Sequence, residues 1–264
     1  MSVHRGYAAV SFGQIHYRYA GAGDKPVLVL LHQTPSTSEM YVDLMQALAP
    51  AFRVLAPDTP GMGMSDAIDN DSSIAGLADG IAEFLDEIGI DHCFIFGHHT
   101  GASIAAELTA RHPQVVDALA MSGPTLLDDD LKSKLRAVST VIPIAEDGSH
   151  FQAMWNRING KDTDAPLSIV LRETINGLQL GDQYSATYNA VIEHDFATAA
   201  GAFQCPVLVF AGTLDPLFGQ LEAAFDLLQQ GSMASIEGAK TFVCETHKDE
   251  VANLLSDFYS QETA

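Results

Sequence analysis

Cys93-Phe-Ile-Phe-Gly-His-His-Thr-Gly-Ala-Ser-Ile-Ala-Ala-Glu-Leu108 sets the reading of the whole chain. Four apolar residues of strand character run into a five-residue turn, and a helix rich in small residues follows. Glycines at 97 and 101 suit a turn in which strand and helix cross closely. The central residue of such a turn is forced toward positive φ. That residue is His99, and histidine is among the non-glycine residues enriched there.

Working outward, short β-rich apolar runs recur at Val27–Leu31, Phe52–Ala56, Ala118–Met121 and Val207–Phe210, as buried parallel strands do. Helical spacing fills Glu39–Ala49 and Ser73–Ile88, the second stopped by Gly89. Alternating strand and helix implies an α/β fold, a doubly wound and mostly parallel sheet. Ala8–Tyr19, with Gly13 between two strand-like stretches, predicts an antiparallel hairpin at the sheet edge. From Thr125 to Phe203 the rhythm breaks. The stretch is too long for a simple crossover and predicts a helical cap, 125–203, inserted into a core of 1–124 and 204–264, with loops at Glu146–Ser149 and Gly160–Asp164.

The chain has 264 residues, 47% of them hydrophobic, enough for a large core in one domain. Thirteen basic residues against 34 acidic ones give a net charge of -21, which repels nucleic-acid backbones and anionic lipid. No apolar run approaches the ~18 residues of a membrane helix, and the N-terminus lacks a signal-peptide core. A soluble, cytoplasmic protein acting on a small molecule is expected, and the sequence leaves a homodimer open. Cys93, Cys205 and Cys244 are far apart, without CxxC spacing, and read as buried free thiols. His32, His98, His99 and His247 show no metal-ligand spacing, so neither metal nor cofactor is expected.

The strand-turn-helix at 93–108 resembles the nucleophile elbow of the α/β-hydrolase superfamily. Two further loops strengthen the likeness: His32-Gln-Thr-Pro-Ser-Thr-Ser38 is similar to the HG-x-P loop, and Ala56-Pro-Asp-Thr-Pro-Gly-Met-Gly-Met-Ser-Asp66 to the D-x-PG-x-G-x-S loop. The resemblance is to the capped branch, epoxide hydrolases and haloalkane dehalogenases, with His99 in place of the nucleophile. It implies an acid after the penultimate strand, Asp215, and a base after the last strand, His247, oriented by Asp215. It also implies an oxyanion hole from the amides of Thr34 and Thr100. Thr100 stands where the dehalogenases carry a halide-binding tryptophan, and no aspartate occupies the turn, so dehalogenation is disfavoured.

Gln33 replaces the glycine of the HG pair and adds a side-chain amide. Trp155, Arg157, Arg172, Tyr184 and Tyr188 are available in the cap to line a pocket, with Gln33 beside them. For His98 and His32 a packing or hydrogen-bonding role behind the turn is expected, and for Asp58 a loop role, accepting backbone amides near Gly61.

Three chemistries stay open. His99 and His247 act as acid and base around water or an acidic C–H, or His99 is itself a nucleophile, or the pocket binds without turnover. Hydrolysis of an ester, lactone, epoxide or activated C–C bond leads. Cofactor-free lyase or oxygenase chemistry follows.

Overall fold

The computed structural model describes residues 1–68 and 72–262. Among these residues eight strands form one sheet in the order β1-β2-β4-β3-β5-β6-β7-β8. The strands are β1 (His4–Val10), β2 (Gly13–Ala20), β3 (Val27–Leu31), β4 (Arg53–Pro57), β5 (Cys93–His98), β6 (Val116–Ser122), β7 (Val207–Gly212) and β8 (Gly231–Ile236). The β1–β2 hairpin turns at Gly13 and joins β4 antiparallel, and every later pairing is parallel. The edge hairpin and the parallel core therefore agree with the sequence patterning. β8 does not: half of its residues are polar or glycine and most are exposed, so apolar patterning had nothing to register.

Two apolar clusters, one on each face of the sheet, make the three-layer core. On one face lie α2 (Ile74–Glu87), α3 (Thr100–Arg111), α8 (Phe196–Gly201) and α9 (Leu221–Phe225). On the other lie α1 (Val42–Leu48), α10 (Val243–Thr246) and α11 (Lys248–Gln261). Ser73 caps α2 by accepting from the Gly76 amide, and the chain turns out of the helix through Gly89 at φ 68°. Buried hydroxyls tie the second layer to the strands: Tyr41 donates to the Leu31 carbonyl at 2.9 Å and Tyr259 to the Ile95 carbonyl at 2.5 Å.

From β3 the chain steps to β4 on one side, then crosses back to β5 on the other. β3 and β5 are thus neighbours whose connections leave in opposite directions, which opens a crevice at their carboxyl ends. The His32–Ser38 loop and the turn at His99 both emerge there.

Between β6 and β7 run α4 (Asp129–Val138), α5 (Ser149–Asn159), α6 (Leu167–Gln179), α7 (Asp182–Glu193) and α8. Met154, Ile158, Val170, Tyr184 and Tyr188 form a separate apolar cluster that also takes in Phe242. α8 packs instead with the sheet core, through Phe196, Ala199 and Ala200. Among the described residues no helix is long and apolar enough to cross a membrane, and all three cysteines are buried and free.

Candidate active site

The elbow geometry follows from the two glycines. A Cβ on Gly97 would stand 2.2 Å from the Gly101 carbonyl oxygen, and one on Gly101 would stand 1.9 Å from that of Leu31. Only glycine lets strand and helix cross this closely. The turn then holds His99 at φ 49° and ψ -110°, the one positive φ of a non-glycine residue among those described. Strain of this kind costs about 1 to 3 kcal/mol and is retained where the side chain must be presented. The His99 amide donates to the Ser122 carbonyl, and its own carbonyl accepts from Ala102 and Ser103.

His99 Nε2 lies 2.8 Å from Asp215 Oδ2. The carboxylate accepts, so Nε2 carries the proton and Nδ1 is left with a lone pair. Nδ1 has no protein partner among the described residues. The Cδ2–Nε2 edge of the ring rests against Gly123, where an added Cβ would meet both atoms within 2.6 Å; the Nδ1 side faces away from that wall. Asp215 is itself fully engaged, its Oδ1 accepting from the Leu217 amide at 2.8 Å. Burial alone would raise the Asp215 pKa, but the facing His99 and the Leu217 amide hold it below the ordinary carboxylate value.

This corrects the expectation for His247. Asp215 does not orient His247, which lies at the entry to α11 with Nδ1 2.9 Å from the Thr246 hydroxyl. The connection after β8 reaches the cavity at Thr241, six residues earlier, and then turns away through α10. Val243 and Cys244 of that helix are buried on the opposite face of the sheet. Position after the last strand does not bring His247 to Asp215, because α10 lies between Thr241 and His247. The site therefore holds one partly buried imidazole on the cavity wall rather than two.

His98 packs behind His99, ring centroids 4.2 Å apart, and Nε2 donates to the Thr241 carbonyl at 2.9 Å. Complete burial and the neighbouring His99 push its pKa down to about 3, so it is neutral. His32 is fixed likewise: Nδ1 donates to the Gln33 carbonyl and Nε2 accepts the Thr59 amide, both at 2.9 Å. Asp58 accepts from His16 Nδ1 and from the Ser38 and Met64 amides, a loop anchor as read from the sequence. Among the described residues no three His, Cys, Asp or Glu side chains are grouped to hold a metal ion.

A cavity of about 650 Å³ opens over His99 and Thr100, roofed by α4, α5 and α7. Tyr184, Tyr188, Arg157 and Thr241 line it, whereas Gln33, Trp155 and Arg172 do not. Gln33 is buried beneath, with both side-chain amide atoms unpartnered. Trp155 packs against the α5–α7 cluster, and Arg172 is bound to Glu173 and Glu245. Tyr188 donates to the Thr34 carbonyl at 2.8 Å; burial holds its phenol up to about 12, so it stays a donor. The amides of Thr34 and Thr100 donate to no described protein acceptor. Sequence reading missed Lys161, whose Nζ donates to Tyr188 Oη at 3.0 Å and the Thr34 carbonyl at 3.4 Å. It sat in a stretch read only as a loop, with no local pattern to mark it.

Residues 26–140 match the alpha/beta hydrolase fold family. An uncharacterized hydrolase of Saccharomyces cerevisiae is 26% identical over 78% of this chain and 79% of its own length. Epoxide hydrolase 1 of Caenorhabditis elegans is 22% identical over 94% of this chain and 68% of its own. Several further curated relatives match over less than half of this chain, which spans about a third of their length. The enol-lactonase structure from Burkholderia xenovorans superposes with a TM-score of 0.79 at 21% identity, covering 97% of this chain and 100% of that one.

Proposed function

The chain belongs to the α/β-hydrolase superfamily, and from that premise we propose that it hydrolyses a small organic substrate beneath a helical cap, with His99 as base and no side-chain nucleophile. The carrying observation is the 2.8 Å contact of His99 Nε2 with Asp215, on a ring that lines the cavity and keeps Nδ1 free. Nδ1 takes a proton from water as the water oxygen attacks the scissile carbon. The imidazolium so formed faces the Asp215 carboxylate. Negative charge developing on the substrate oxygen is received by the amides of Thr34 and Thr100, the latter at the N-terminus of α3. Nδ1 then returns its proton to the leaving group, and the free imidazole is restored. The hydrolase names of the yeast and nematode relatives support this reading.

Binding without turnover is the second reading, favoured by Thr241 standing where the chain after β8 meets the cavity. A panel of p-nitrophenyl esters, lactones and epoxides separates the two. Wild-type protein is expected to turn over a member of the panel after fluorophosphonate treatment, and His99→Gln to lose about 100-fold or more in kcat/KM. His247→Ala is expected to stay within about twofold. Full activity in His99→Gln, or covalent fluorophosphonate inactivation at Ser122 or Ser36, removes His99 from the role.

A further inference from the structure

Basic residues are scarce in this chain, 13 against 34 acidic ones, so cations gathered at the wall of one cavity are a feature to be explained. Arg18, Arg111, Lys134, Arg172, Lys240 and Lys248 all sit in ion pairs. Two cations at the cavity wall do not, among the described residues. Arg157 spends its guanidinium on the Thr140 carbonyl and hydroxyl, at 2.6 and 3.2 Å, and lies 5.4 Å from the Tyr184 ring centroid. Lys161 spends its ammonium on Tyr188 Oη and the Thr34 carbonyl and lies 5.7 Å from the Tyr188 ring centroid. The two tyrosines adjoin, ring centroids 5.1 Å apart, so both cations are held against one aromatic wall by neutral oxygens.

Among the described residues no aspartate or glutamate lines the same cavity. Leu127, Leu131, Leu135, Val138, Val191 and Leu217 make an aliphatic stretch of the remaining wall, which also carries Thr125, Asn156, Thr241 and the ion-paired Lys134. A cavity with no acidic side chain among its described lining in a chain of charge -21, yet with two cations outside any ion pair beside an aliphatic stretch, is complementary to an amphiphilic anion. Neutral acceptors and aromatic faces fix the cations without cancelling their charge, which leaves them pre-organised for an anionic oxygen.

We propose that the His99 cavity binds organic carboxylates with an apolar body, the carboxylate received by Lys161 and Arg157 and the body by the leucine and valine wall. It rests on the reading of this cavity as the substrate site and specifies the substrate class. Because Lys161 holds the carbonyl of Thr34, whose amide is assigned to the oxyanion hole, the anionic head lies on the Thr34 side, and the reacting bond addresses His99.

The test is calorimetric titration with octanoate and with octanamide, which has nearly the same shape but no charge. Wild-type protein binds octanoate at least tenfold more tightly than octanamide. Lys161→Met and Arg157→Gln each bring the two affinities to within about threefold while octanamide affinity stays at the wild-type value, which also verifies that the cavity is intact. His99→Gln keeps the octanoate preference, so loss of turnover and loss of anion recognition are read separately. Equal affinity of the wild-type protein for both amphiphiles, including no measurable binding of either, overturns the proposal, as does a preference that survives both cation substitutions.

Discussion

The imidazole of His99 and the backbone of Gly123 are in contact: a Cβ on Gly123 would stand 2.4 Å from Cδ2 of the ring. Gly123 follows β6, has φ 62°, and donates its amide to the Phe210 carbonyl, so its position is set by the sheet rather than by the site. The wall that keeps the His99 ring on Asp215 is thus a bare peptide. Gly123→Ala is expected to push the ring off the carboxylate and to lower kcat/KM by about 100-fold, the scale of a 1 Å misplacement of a reacting group. Left-handed backbone costs an alanine only about 1 to 2 kcal/mol, so the variant still folds. Circular dichroism beside kinetics separates the effects, and unchanged turnover in a folded variant contradicts this role for the wall.

Acid stability is expected to depend on Asp58. Its carboxyl is buried, which alone would raise its pKa, yet the hydrogen bonds from His16 and from the Ser38 and Met64 amides bring it far below the ordinary value. A carboxylate depressed in the folded state stabilises fully above its unfolded pKa of ~3.9, and that contribution is lost as pH falls toward the lower folded value. Asp58→Ala orphans three donors at once and is expected to cost about 3 kcal/mol at pH 7. Its stability should also be flatter than wild type below pH 4. Urea melts from pH 3 to 7 measure both, and parallel wild-type and variant curves contradict the assignment.

Arg172 fastens the helical insert to the core. It bonds Glu173, whose side chain is fully buried, and reaches Glu245 of α10 at 2.7 Å, while Ser36 of the β3 loop donates to the same Glu173 oxygen at 2.9 Å. Arg172→Met strands a buried carboxylate and is expected to destabilise by about 3 to 5 kcal/mol. Adding Glu173→Gln should recover part of that loss, because the uncompensated charge is then gone. A double-mutant cycle in denaturant reads the coupling, and additive losses contradict it.

None of the three thiols is expected to react in the native state. Cys244 and Cys93 are buried with pKa values pushed far up, and burial lifts Cys205 to about 11, so little thiolate forms at neutral pH. Maleimide labelling should require unfolding at all three sites. Fast native labelling at Cys244 contradicts the packing of α10.

The parallel core was legible because Val27–Leu31, Cys93–Phe96 and Val207–Phe210 are apolar without interruption, as strands buried on both faces must be. β8 was not, since an edge strand with exposed Ser232 and Met233 leaves no such mark. His99 was legible because Gly97 and Gly101 bracket it, and backbone crowding is written in the residue types. The partner of Asp215 was not. Which histidine meets it depends on how far the chain travels after β8, and α10 diverts that path before His247. Lys161 was equally silent, because its meaning lies in bonding Tyr188 and the Thr34 carbonyl with no ion-pair partner among the described residues, a property of the folded surroundings.

The tautomer of His99 decides whether its base faces the cavity. Two-bond proton–nitrogen correlation of the 15N-labelled protein near pH 8, with the His99 signals assigned by their loss in His99→Gln, reads it directly. A protonated Nε2 beside an unprotonated Nδ1 is predicted, with that preference lost in Asp215→Ala. A proton on Nδ1 in the wild-type protein would contradict the assignment, since no lone pair would then be left to accept a proton from water on that side.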